Sequence, residues 1–373
     1  MAKCVFCDVP LTTDNAHSEH VIPNALGGKL KSNKLDCSKC NETYGSKCDA
    51  AIAHDLNPFA NLLNVHRGRG YPQPIKGVHN GKPIRLNPGG KTELAKPEFR
   101  TEETDTGLKV QIQARSMREA KAMLEGLKRK YPKLDVNKAL ADAQVKSEYS
   151  NEFINFNFTH GGSATFQAIM KMAFLFFKLK RPGVKLANEK ELIDFINGHS
   201  SKTAVSWYFP EPEIVERQDG RVLHALILKG YPSEKLLLAF VDLFSVLSFV
   251  VVLSDDFSED LEEKYVFDVI GQKELPSALL NTPRLDRKAI ETLLAGMPSP
   301  SDKITTRFMT FLSISMLRQQ KEYLSELLGD AVEGYFKKFP QGTTITHKMI
   351  TELCGEIMEK VRPLITRKWQ KDP

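Results

Sequence analysis

Cys4-Val5-Phe6-Cys7 and Cys37-Ser38-Lys39-Cys40 are two C-x-x-C pairs that bracket a Glu19-His20 dipeptide, and the second pair runs directly into Asn41. Four thiolates at two short spacings can hold one tetrahedral Zn²⁺. The carboxylate of Glu19, the imidazole of His20 and the amide oxygen of Asn41 are then left over. A carboxylate and an amide suit a hard divalent ion, Mg²⁺ or Mn²⁺, and a free imidazole beside them suits a general base. Phosphodiester hydrolysis asks for this set: an activated water, charge on the phosphoryl oxygens and help for the leaving oxygen. A histidine titrating near 6.5 can take the water's proton close to neutral pH. Taken singly, each piece has a plainer reading: a Glu-His pair decorates a surface, paired C-x-x-C motifs build a structural zinc ribbon, and an asparagine caps a helix. Their order and closeness favour the combined site.

These residues resemble the HNH (ββα-metal) nucleases, in the variety with two C-x-x-C zinc knuckles. Ser18-Glu19-His20-Val21-Ile22-Pro23 is similar to the end of the family's first strand, and Ala25-Leu26-Gly27-Gly28-Lys29 to the glycine-bearing loop after it. The resemblance implies that His20 is the general base and that Glu19 and Asn41 hold the catalytic ion. It implies that Asn33 is structural, tying the loop ends through its side chain. Asp49, eight residues after Asn41, shares its face if the segment is helical and is a candidate outer or third ligand. Gly45 stands where some members carry a further histidine, which favours a carboxylate-plus-amide Mg²⁺ site over one of three imidazoles. Adjacent Glu19 and His20 point to opposite sides of an extended chain. The strand must therefore end or bend there, and Pro23 with Gly27-Gly28 offers the bend.

At 373 residues the chain exceeds one ordinary domain, and its 41% apolar and 26% charged composition is that of a globular protein. The excess of 52 basic over 46 acidic residues permits a nucleic-acid partner without demanding one. With four cysteines assigned to zinc, Cys48 and Cys354 are expected to be reduced thiols, and the knuckle follows Met1 too closely for a signal peptide. These points predict a cytoplasmic protein. Leu236 to Leu253 is long and apolar enough to raise a membrane span. Its β-favouring residues and the central Asp242 predict instead two buried strands with a turn near Phe244-Ser245-Val246.

Four divisions follow: the nuclease module at 1–58, a loop-rich connecting region at 59–150, an α+β domain at 151–285 and a helical region at 286–373. The predicted class is α+β, a zinc-stapled ββα-metal module followed by a larger region with an antiparallel sheet and a helical C-terminus. Asn80-Gly81 predicts a hairpin over 77–86, and 108–114 alternates like a strand. Ser116-Met117-Arg118-Glu119 is a capping box opening a basic helix that ends near Tyr131-Pro132. Arg118, Lys121, Lys128 and Arg129 on it, with Arg67 and Arg69 upstream, are candidate phosphate contacts, though a solvated face is the default explanation of the helix. Phe153 to Phe158 alternates, His160 reads as structural, and Ser163 is expected to cap an apolar helix through Phe177. Strands at 205–209, 221–228, 236–244, 248–253 and 265–270 suggest an antiparallel meander. Met309 to Leu327 marks one long helix or a pair.

The sequence therefore predicts a metal-dependent HNH endonuclease acting on DNA before RNA, and by analogy a prokaryotic defence or mobile-element enzyme with a regulatory or targeting C-terminal region. That region is the candidate surface for a partner protein or a second copy of the chain. The alternatives are a zinc-dependent nucleic-acid-binding protein without turnover and an RNA-cleaving HNH enzyme.

Overall fold

The computed structural model describes residues 2–68, 70–104, 107–132, 134–143, 154–156, 161–200, 204–296 and 301–369. The chain divides into two compact units, Met1–Phe311 and Leu312–Pro373, so the sequence divisions at 58, 150 and 285 all fall inside the first.

The chain starts with two two-residue strands, β1 (Glu19–His20) and β2 (Lys31–Ser32), paired antiparallel with Glu19 opposite Ser32. Helix α1 (Ser38–Tyr44) follows, then a π-helical turn over Gly45–Asp49, α2 (Ala50–Asp55) and α3 (Asn57–Leu62). The long β1–β2 loop is fixed by its glycines. Gly27 has φ +90°, and a Cβ on Gly28 would lie 1.9 Å from the Ile22 carbonyl oxygen, so only glycine lets the backbones approach.

A three-stranded sheet follows, β3 (Ile75–His79), β4 (Lys82–Leu86) and β5 (Thr92–Leu94). The predicted turn at Asn80-Gly81 has φ of 48° and 71°, as a two-residue hairpin of this hand requires. The hairpin β6 (Glu98–Thr104) and β7 (Gly107–Gln113) leads to α4 (Met117–Lys128), where Ser116 Oγ accepts the Glu119 N–H at 3.2 Å, and to α5 (Val136–Ala141). Helix α4 stops a few residues before the expected Tyr131-Pro132. Of the segment 153–158, Asn155 bridges Val78, while 153, 157, 158 and His160 lie outside the described residues.

Helix α6 (Ser163–Lys180) is the axle of the first unit. Its residues 168–178 are all buried, as expected of a helix apolar around its whole circumference. The predicted Ser163 cap is corrected: Gly162, with φ +101°, is the cap position, and Ser163 is already helical. Helix α7 (Glu189–Asn197) packs beside it. Behind α6 lies a six-stranded sheet of β8 (Val205–Trp207), β9 (Leu223–Tyr231), β10 (Leu236–Leu243), β11 (Leu247–Ser254), β12 (Glu262–Asp268) and β13 (Lys273–Glu274).

Every pairing in that sheet is antiparallel, but the order β13-β12-β9-β10-β11-β8 is not the expected simple meander, because β12 returns to the free edge of β9. Both faces are covered, one by α6 and the other by a cluster that includes Ile290 of α8 (Arg287–Leu294). That double burial accounts for the continuous apolar run 236–253. The run is two strands joined by a turn at Phe244-Ser245, with φ of 58° and 54°, closed by the Val246 N–H donating to Leu243 O at 3.1 Å. Among the described residues no helix is long and apolar enough to cross a membrane. Helix α9 (Ser301–Phe336) begins in the first unit, where Phe311 meets Phe59 edge-on. In the second unit α10 (His347–Trp369) is held by Tyr335 Oη donating to Glu352 Oε2 at 2.8 Å.

Candidate nuclease site and zinc centre

The two cysteine knuckles come together. Cys4 N–H donates to Val9 O at 2.8 Å and Asp8 N–H to Cys4 O at 2.9 Å, folding the first pair into a tight turn with Asp8 at φ 58°. Val5 N–H donates to Leu35 O at 2.8 Å, which brings this turn against the second pair at the head of α1. The four Sγ atoms of Cys4, Cys7, Cys37 and Cys40 all lie within 4.8 Å of one another. Cys7 Sγ and Cys37 Sγ are 3.8 Å apart. A tetrahedron with Zn–S bonds of about 2.3 Å has an edge of about 3.8 Å, so the cluster fits zinc. Burial pushes the Cys4 thiol up to about 11 and the Cys40 thiol upward as well. A doubly charged ion reverses that balance by favouring thiolate. Phe6 of the first knuckle packs on Tyr44 and Phe174, with ring centroids 4.2 and 6.0 Å away, joining the knuckle to α6. Cys48 is a buried thiol raised to about 11 by burial, and Cys354 is exposed; both are free.

The same framework positions the polar residues. Ala16 bridges Cys37, His17 N–H donates to Asp36 O at 3.3 Å, and Ser38 N–H to Asn15 O at 2.8 Å. Residues 15–19 therefore run beside 36–38. Alternation along an extended chain then puts His17 and Glu19 on one side. One helical turn after Cys37, Asn41 reaches back to them. Asn41 Nδ2 donates to Glu19 Oε2 at 2.7 Å and to His17 Nδ1 at 2.8 Å, which leaves the His17 proton on Nε2. Strand β1 ends at His20 and the backbone bends at Val21-Ile22, so the expected break after the Glu-His pair is present. His20 is half-buried. Burial lowers its pKa, and Lys31, Lys29 and His17 act in the same direction against Glu19.

Two groups that sequence reasoning passed over complete the cluster. Lys171 of α6 is 2% exposed, and its Nζ lies 2.7 Å from Glu19 Oε1 and 2.7 Å from Asp49 Oδ2. The available signal was a lysine inside a helix that is apolar all round, since such a buried ammonium needs carboxylate partners. Asp36 is fully buried, and neither carboxylate oxygen has a hydrogen-bond partner among the described residues. Burial, with Glu19 adding to it, pushes its carboxyl up to about 7 against the pull of Lys171. One ligand atom each from His17, Glu19 and Asp36 falls within a 4.8 Å group, a set that fits a divalent ion.

Asp49 closes the π-helical turn and pairs with the Lys171 ammonium that also meets Glu19, so it stands beside this group, and its raised pKa reflects burial first. Asn33 is exposed and makes no side-chain bond among the described residues. The loop is instead closed by backbone, with Val21 N–H to Leu30 O at 2.9 Å, and by His224 Nε2 donating to Leu26 O at 2.9 Å. Arg118, Lys121, Lys128 and Arg129 are exposed along and just after α4, and Lys121 stands 3.9 Å from Glu125. Arg69 lies outside the described residues. Arg67 is half-buried, and its Nε and Nη2 find no acceptor among the described residues.

Residues 4–57 match the family model described as HNH endonuclease. Over this segment the chain is similar to HNH endonucleases. The match spans the four knuckle cysteines, Glu19, His20, Asp36, Asn41 and Asp49, and it implies a nucleic-acid substrate and a metal cofactor. Neither a curated protein nor a solved structure matches the chain.

Proposed function

We propose that the protein is a metal-dependent endonuclease that hydrolyses phosphodiester bonds, in DNA before RNA, with His20 as general base and Glu19 and Asn41 holding Mg²⁺ or Mn²⁺. The observation that carries this reading is the convergence of Asn41 on Glu19 Oε2 at 2.7 Å, within the segment that matches the nuclease family. Both residues have an oxygen to offer a cation, once the Asn41 amide turns its oxygen inward. The ion, when bound, supplies positive charge for the phosphoryl and leaving oxygens.

The chain's own residues do the rest. His20, kept neutral by partial burial, accepts the proton of the attacking water on a ring nitrogen. Lys171 engages Glu19 Oε1, which fixes the carboxylate so that Oε2 faces Asn41. Lys171 is thus a positioning residue supplied from outside the matched segment. The remainder of the chain, by this reading, holds substrate or regulates cutting, in keeping with a defence or mobile-element nuclease.

The test is incubation of the zinc-loaded protein with supercoiled plasmid, linear DNA and RNA across Mg²⁺ and Mn²⁺, beside Glu19→Gln and Asn41→Ala. Divalent-dependent cutting that both variants lose supports the assignment. Binding without any cutting would make the protein a zinc-dependent nucleic-acid-binding module, and cutting confined to RNA would reverse the substrate preference.

A further inference from the structure

Asp36 poses a problem that the nuclease reading leaves open. A carboxylate that is fully buried with both oxygens unpartnered is rare in folded proteins, because desolvation is then uncompensated. The nearest buried cation does not answer it, since the Lys171 ammonium is engaged at 2.7 Å by both Glu19 and Asp49. Asp36 instead faces a shared point: one of its oxygens, one from Glu19 and a ring nitrogen of His17 lie within 4.8 Å of one another. At that edge of the cluster the Asn41 amide nitrogen already receives two acceptors, Glu19 Oε2 and His17 Nδ1, at 2.7 and 2.8 Å. Possible ligand atoms from three side chains thus lie close together, and the Asn41 side chain beside them can itself offer an oxygen.

We propose that His17 and Asp36 join Glu19 and Asn41 as ligands of the divalent ion, and that the His17 imidazole makes the site prefer Mn²⁺ or another first-row transition ion to Mg²⁺. The claim rests on the nuclease reading for its location and extends it to the identity of the ion. Magnesium is served by carboxylates and water, whereas imidazole suits first-row transition ions such as Zn, Cu, Fe and Ni, and Mn²⁺ shares magnesium's taste for oxygen while standing at the start of that series. His17 precedes the Glu-His pair, so the imidazole enters from upstream of β1 rather than from the turn after α1, where Gly45 supplies none. Charge supports the same reading. Lys171 pairs with Glu19 and Asp49 but not with Asp36, and a divalent cation neutralises the two negative charges that remain when all three carboxylates are ionised.

The experiment is Mn²⁺ titration of the full-length, zinc-loaded protein without nucleic acid, read by loss of the free-ion EPR signal, with Mg²⁺ as competitor. The wild type is expected to bind one Mn²⁺ per chain that Mg²⁺ displaces poorly. Asp36→Asn and His17→Ala should each weaken Mn²⁺ by at least about tenfold, with zinc content unchanged. His17 is exposed, so its removal leaves the fold intact even where Asp36→Asn does not. Unchanged Mn²⁺ affinity in His17→Ala, or displacement by equal Mg²⁺, overturns the proposal. If Glu19→Gln alone weakens binding, the ion site of the nuclease reading stands and only this extension fails. If the wild type takes up no Mn²⁺ at all, both fail.

Discussion

Arg307 and Lys171 are both buried cations set among carboxylates, yet their surroundings differ in balance. Arg307 lies 3.2 Å from Glu213 Oε1 and 3.5 Å from Asp242 Oδ2, and it donates to Ser248 Oγ at 2.6 Å. Arg217 also pairs with Glu213 at 2.7 Å, and the Phe209 ring covers the Arg307 guanidinium at 4.6 Å. Two guanidinium groups thus meet two carboxylates. Asp242 keeps one oxygen unpaired, but the other accepts from both Ser248 and Arg307. Around Lys171 a single ammonium serves Glu19 and Asp49, while Asp36 beside Glu19 has no hydrogen-bond partner among the described residues. A buried network that closes on itself is structural. One left short of positive charge has room for a cation, and it is the one inside the nuclease match.

Several substitutions break or sharpen that contrast. The largest effect is expected where a metal closes its own cluster. Cys4→Ser combined with Cys40→Ser should unfold the N-terminal module, since structural zinc contributes roughly 10–16 kcal/mol of apparent binding free energy to folding. Zinc content and proteolytic sensitivity measure it, and one zinc per chain in the double variant would refute the four-thiolate assignment. Next come the two buried cations. Lys171→Met and Arg307→Met should each lose about 3–5 kcal/mol, because removing one partner leaves carboxylates buried and unpaired. Only Lys171→Met should regain part of its melting temperature when Mn²⁺ is added. Equal recovery in both, or in neither, would erase the distinction drawn here.

His224 joins the sheet to the nuclease loop and should show its strain in acid. Its Nε2 donates to Leu26 O, and its Nδ1 accepts the Phe244 N–H at 3.2 Å, so both bonds require the neutral ring. Burial lowers its pKa to about 4. Unfolded, the ring titrates near 6.5. Between these values the unfolded chain binds a proton that the folded chain does not. Stability is therefore complete above about pH 6.5 and falls by on the order of 3 kcal/mol as pH drops towards 4. Denaturant melts across that range, wild type against His224→Gln, should show a shallower acid slope in the variant. Smallest, and outside both clusters, Ser116→Ala should cost about 1 kcal/mol through loss of the α4 cap. A larger change would mean that α4 does more than solvate its basic face.

Local signals were the most legible in the sequence. The zinc knuckles, the Asn80-Gly81 hairpin, the Ser116 cap and the paired strands of 236–253 are set by spacing and turn chemistry within a few residues. The motif pointed to Glu19 and Asn41, whose side chains meet at 2.7 Å. Lys171 and Asp36 were not legible, because their meaning depends on which segments pack together. Lys171 sits 152 positions from Glu19 in the chain, and Asp36 stands out only once its burial is known. The partner of Asp49 was hidden for a related reason: it lies in a π-helical turn and pairs with a lysine far along the chain. Asn33 lost its expected role to backbone bonds and to His224, again a contact from far along the chain. The return of β12 to β9 escaped notice because strand order leaves no trace in alternation.

The most direct test is single-turnover cleavage of supercoiled plasmid by zinc-loaded protein in Mn²⁺, wild type against His20→Ala. The account predicts nicking or linearisation that chelation abolishes, and a fall of about 10²–10⁴-fold in the variant with zinc and DNA binding retained. Cleavage at the wild-type rate by a nuclease-free preparation of His20→Ala would contradict it.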